Sequence, residues 1–162
     1  RREGSPHSVL GGVSLQAADL RHFRSPKAQL TDVDLQGANL TLADFSGAEL
    51  VRCNFRNAHL FLANFSGTRM PGINLSGANL HAANFQGANL SNAYLRAAHL
   101  TQANFSNADL TAATLQGADL TESVFLNANL SGADLAEAIL SRTNFQGANL
   151  RSAKLPDGFE FV

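Results

Sequence analysis

Three histidines, His59, His81 and His99, are the side chains best suited by type to ligate a metal or carry a proton. Serine, histidine and aspartate for a hydrolytic triad are also present. No G-x-S-x-G elbow, phosphate-binding glycine loop or paired-cysteine metal motif accompanies them. The single cysteine, Cys53, cannot form a disulfide within the chain, which fits a reducing compartment. Four arginines, Arg52, Arg56, Arg69 and Arg96, fall within residues 50–108, a stretch without Asp or Glu. Such a basic band could hold nucleic acid. Which of these groups can act together depends on the elements that position them.

Every fifth residue from Leu30 to Leu155 is Leu, Phe or Met. A period of five belongs neither to a helix nor to a flat strand, and it predicts a solenoid whose stacked coils share a core. Two residues before each of these centres stands a small residue, Ala at twenty of twenty-six positions. Residues two apart on an extended stretch point the same way, so both face inward and the Asn or Asp between them faces out. That polar side chain can bond backbone at a corner. Ten glycines, Gly12 and Gly147 among them, lie two residues after a centre, where Asn57, Asn92, Asn107 and Asn127 also stand. Both types tolerate the positive φ of a type II turn, so a corner follows each centre.

Phe45, Phe65, Phe85, Phe105, Phe125 and Phe145 are spaced by twenty. Four five-residue sides per coil would stack these rings in one column; three sides would scatter them. The runs Ala38-Asn39-Leu40, Ala78-Asn79-Leu80, Ala108-Asp109-Leu110 and Ala148-Asn149-Leu150 resemble the pentapeptide-repeat family, with its consensus A(D/N)LXX. That resemblance implies an all-β, right-handed quadrilateral β-helix, a four-sided solenoid of 20 residues per coil. About seven coils, seven and a half counting every centre from Leu10 to Leu155, would make a rod about 36 Å long. The expected domains are a disordered segment at 1–8, the β-helix at 9–155, and a turn and cap at 156–162. One lapse falls at Ser25-Pro26, where Phe23 is expected to fill the place of a missing centre.

On such a rod His59 and His99 stand two coils apart, about 10 Å, and His81 is offset along the side. Zinc needs its ligand nitrogens within about 4 Å of one another. The histidines are therefore expected to decorate the surface, with no metal or cofactor. A core filled in every layer leaves no pocket for chemistry, so the chain is expected not to be an enzyme.

The outward residues are mostly Ser, Thr, Asn, Gln and Gly, so departures stand out. Leu42 and Leu62 share one corner phase in adjacent coils, with Phe61 beside them and His59 and His81 on the same side. This group is the expected partner-binding surface. Val124, Leu126 and Ile139 are weaker outward apolar positions. Phe159, Phe161 and Val162 follow the last repeat and could cap the final coil or form a homodimer contact, since members of the family often pair end to end.

The leading functional expectation is a non-enzymatic scaffold that binds a protein partner through the faces of a rigid prism. Some members of the resembled family mimic duplex DNA and bind gyrase, protecting it from quinolones. Mimicry needs an acidic rod, and a net charge of −1 disfavours it. Direct nucleic-acid binding is disfavoured because four arginines with few interleaved aromatics make a thin patch. A spacer within a longer protein is a further reading. No run of eighteen apolar residues marks a transmembrane helix. A cytoplasmic location is favoured, and the start at Arg1 leaves room for a removed targeting segment.

Overall fold

The computed structural model describes residues 9–160. The disorder expected at 1–8, together with Phe161 and Val162, lies outside the described residues. The chain winds as a four-sided parallel β-helix. Three short strands, β1 (Val9–Gly11), β2 (Gln29–Thr31) and β3 (Glu49–Val51), pair in parallel in the order β1-β2-β3. Leu10 lies beside Leu30, and Leu30 beside Leu50. The other sides are joined by single parallel bridges, such as Asn39 to His59 and Phe-flanking Asn64 to Asn84, always at a spacing of one coil.

Most five-residue units dispose of their backbone N–H groups in the same way. In 54–58, Asn54 N–H bonds the carbonyl of Val33 in the coil before, while Phe55 and Asn57 bond Asn74 and Ser76 in the coil after. Ala58 N–H closes the corner on the Phe55 carbonyl at 3.0 Å. The remaining N–H, on Arg56, is taken by the side chain of Asn54 at 3.1 Å. The outward Asn or Asp of the repeat thus serves the one donor that the ladder leaves over. Ser66 on Asn64, Gln86 on Asn84 and Thr121 on Asp119 repeat this bond.

This rule explains the prolines. Pro26, Pro71 and Pro156 each follow by two residues a position where Asn or Asp is replaced, by Arg24, Arg69 and Lys154 respectively. Proline has no N–H, so the acceptor is dispensable there.

Every fifth residue from Gly12 to Ser152 has positive φ, between 52° and 70°. The corners fall where the glycines and asparagines predicted them, but the fold imposes the same left-handed backbone on Leu42, Arg52 and Leu62. That conformation costs an L-residue about 1–2 kcal/mol. The corner bonds and the buried centres must offset it.

The centres form the core. From Leu30 to Leu135 nearly all are inaccessible to solvent, each contributing about 1.5–3 kcal/mol of gross burial. Phe65, Phe85, Phe105 and Phe125 stack at 4.7–5.1 Å with their planes within 5°. Thr68 and Ser123, which replace the inward Ala, satisfy their hydroxyls on the corner carbonyls of Phe65 and Leu120. At the lapse, Phe23 packs 5.7 Å from Phe45 and takes the place in the Phe column that Ser25 leaves open. The ladder runs on unbroken through Arg24 and Asp44. At the other end Phe159 N–H turns back to the Pro156 carbonyl, and its ring meets Phe145 edge-on at 6.3 Å.

Candidate interaction surface

The corner that follows the Leu40, Leu60 and Leu80 centres carries Leu42, Leu62 and Ala82 in successive coils. Leu42 N–H bonds the Phe61 carbonyl at 2.9 Å, and Leu62 N–H bonds the His81 carbonyl at 3.0 Å. These bonds hold the two leucines one above the other. Both are 43% exposed. Beside them Phe61 stacks on His81 with ring centroids 5.4 Å apart. The His81 Nδ1 is held in turn by the Thr101 hydroxyl. His22 and Arg21 occupy the same phases one coil before Leu42, and Arg21 is locked to Asp19 by two bonds of 2.7 and 2.8 Å. Beyond Ala82 come Gln102, bonded to Glu122 at 2.9 Å, and the Glu122–Arg142 ion pair. An apolar centre thus sits inside a polar rim.

His59 does not join this stack. It lies in the bridge register Asn39–His59–Asn79–His99, with Asn79 between it and His99. Because His59 occupies the slot of the usual Asn, Phe61 N–H has no side-chain acceptor there. No group of three His, Cys, Asp or Glu side chains suited to a metal occurs among the described residues.

The four arginines do not form one band. Arg52 forks onto Asp32 at 2.6 and 2.7 Å, and Arg69 reaches Glu49 at 3.4 Å. Both acids belong to the coil before, twenty residues back, so a count along the chain missed them. Asp32 is held below the usual carboxylate range by its hydrogen bond to Arg52. Arg56 and Arg96 have no acidic partner among the described residues.

Cys53 is buried, and burial pushes its thiol up from the ordinary range. A neutral, enclosed thiol of this kind is packing material rather than a nucleophile. Val124 and Leu126 are half-buried, whereas Ile139 and Tyr94 are exposed. Tyr94 escaped the sequence reading; its signal was an aromatic ring in the slot otherwise filled by Asn or Asp.

The profile of pentapeptide repeats matches the chain in eight copies, over 8–47, 27–60, 58–96, 88–125 and 127–157. The protein belongs to the pentapeptide-repeat family. Its fold is accordingly the right-handed quadrilateral β-helix. Among curated proteins none matches. Among solved structures the chain is similar to QnrB1, a plasmid-mediated fluoroquinolone resistance protein, at 21% identity and a TM-score of 0.53, covering 93% of this chain and 90% of that one. It is also similar to HetL of Nostoc sp. strain PCC 7120, involved in heterocyst differentiation regulation, at 28% identity and a TM-score of 0.39, covering 96% and 92%. A pentapeptide-repeat protein of the Arabidopsis thaliana thylakoid lumen matches at 28% identity and a TM-score of 0.47, covering 67% of each chain. The QnrB1 likeness speaks to fold alone.

Proposed function

We propose that this pentapeptide-repeat protein is a non-enzymatic binding rod whose contact with a protein partner is anchored at Leu42, Phe61, Leu62 and the Phe61–His81 stack. The supporting observation is the pair of leucines at left-handed corners. Leucine shares the backbone cost of that corner with Arg52, Ala97 and other non-glycine residues, but unlike them it exposes a large apolar side chain. The fold does not require either residue. A contact that buries them accounts for both.

Leu42, Phe61 and Leu62, each less than half exposed, cannot by themselves supply the roughly 1,000 Å² of buried surface that a specific interface needs. They therefore serve as the apolar anchor of a wider contact, with the neighbouring side of the prism as its rim. Pull-down and crosslinking with the wild type, Phe61→Asp and Leu62→Asp test this directly. Both side chains are exposed, so the variants fold, as a thermal melt will verify. The expected result is loss of a specific partner in both variants. Capture of every specific partner undiminished would show that the contact lies elsewhere.

A further inference from the structure

Arg56 and Arg96 occupy the same outward phase of one side, two coils and about 10 Å apart. Ser76 stands between them at that phase. Together with Asn57, Gly77 and Ala97 at the adjoining corner, they line a shallow cleft. The cleft has a long cationic side chain at each end and small residues on its floor. A Cβ on Gly77 would collide with Asn57 Oδ1, so glycine leaves room for the Asn57 side chain at that corner. The surrounding sequence occurs twice, as Arg56-Asn57-Ala58-His59-Leu60 and Arg96-Ala97-Ala98-His99-Leu100, with Ser76-Gly77-Ala78-Asn79-Leu80 between.

The other arginines near the middle of the rod are neutralised by Asp32 and Glu49. Asp34, on the same side as the cleft, accepts bonds from Gln16 and Asn54 and carries no ion pair among the described residues. Along the arginine phase Gln36 and Gln116 follow in either direction, so the basic run ends after two residues. A polyanion would need a longer track of cations. A single carboxylate is satisfied by one guanidinium fork. Two guanidiniums unpaired among the described residues and lining one cleft, with Ser76 between them in sequence phase, match the charge of a phosphate monoester dianion.

We propose that Arg56 and Arg96 clasp one phosphate monoester dianion over the floor formed by Ser76 and Gly77. The site does not depend on the Phe61 patch. The same chemistry would recognise free phosphate or a phosphoryl group carried on a protein.

The test follows the arginine Nε–H resonances of the ¹⁵N-labelled protein during separate titrations with inorganic phosphate, a phosphoserine peptide and its unphosphorylated form. Arg21, Arg52, Arg69 and Arg142, each ion-paired, are internal controls. The expected result is a joint, saturable shift of Arg56 and Arg96 with both phosphorylated probes and none with the unphosphorylated peptide. Tighter binding of the peptide assigns a protein-borne phosphoryl group; equal or weaker binding assigns free phosphate. Removing one fork in Arg56→Gln should weaken binding on the order of tenfold at Arg96. Uniform, unsaturated shifts of all arginines would overturn the proposal. So would an Arg96 response that survives Arg56→Gln undiminished.

Discussion

The ring of Phe61 lies flat on that of His81, 5° from parallel, yet Phe61 remains 39% exposed. In the core, Phe85 stacks just as flatly between Phe65 and Phe105 and is wholly enclosed. The two stacks look alike and differ in what they contribute. Phe61→Ala is expected to lower stability by no more than about 1 kcal/mol, and Phe85→Ala by about 3–5 kcal/mol. Urea unfolding of the pair measures both. A large loss for Phe61→Ala would make that ring structural and remove the case for a binding anchor.

The unserved N–H at the residue after each centre gives a second prediction. Tyr94 stands where Asn or Asp would accept the Arg96 N–H. Tyr94→Asn supplies that acceptor, and since Tyr94 is exposed little packing is lost. A gain of about 0.5–1.5 kcal/mol is expected. Arg69→Asn is the control. Pro71 has no N–H to serve, and the Glu49 ion pair given up is largely solvent-exposed, so the change should stay within about 0.5 kcal/mol. Equal gains from both would refute the proposed role of the side-chain acceptor.

These contrasts show which properties were legible in the sequence. A period of five and a Phe spacing of twenty describe the backbone, because every unit repeats one geometry. Residues such as Leu42 and Leu62 could therefore be superposed by counting in twenties. The stacking of Phe61 on His81 could not, since it depends on side-chain rotamers. The arginines misled for a related reason. Charge was summed along the chain, while Arg52 and Arg69 find their partners across the coil. Phe23 was legible because a missing centre leaves a hole that only a large neighbour can fill.

Corner strain can be isolated at Gly87, whose φ is +67° and where an added Cβ would meet nothing within 4 Å. Gly87→Ala therefore tests backbone conformation without a steric clash. A loss of about 1 kcal/mol is expected. Ala97, with φ 53°, sits at an equivalent corner. Ala97→Gly should be stabilising by a smaller amount, because glycine also gains freedom in the unfolded chain. If Gly87→Ala were neutral, the corners would be relaxed and Leu42 and Leu62 would carry no backbone cost.

Acid dependence tests the coil-to-coil pairing of Arg52 with Asp32. The hydrogen bond from Arg52, with its charge, lowers the Asp32 carboxyl below its ordinary value. The carboxylate then binds protons less readily in the folded chain than in the unfolded one. Its contribution is present above the unfolded carboxylate pKa of about 3.9 and disappears as the pH falls through the lower folded value. Arg52→Gln removes the guanidinium and with it most of this linkage. The urea midpoint of the wild type should therefore fall more steeply below about pH 4 than that of Arg52→Gln, with the two curves converging at the acid end. Both groups are exposed, so the difference should shrink in high salt. Parallel curves at low salt would mean that the pair is not formed in solution. Arg52 would then rejoin Arg56 and Arg96 as an available cation.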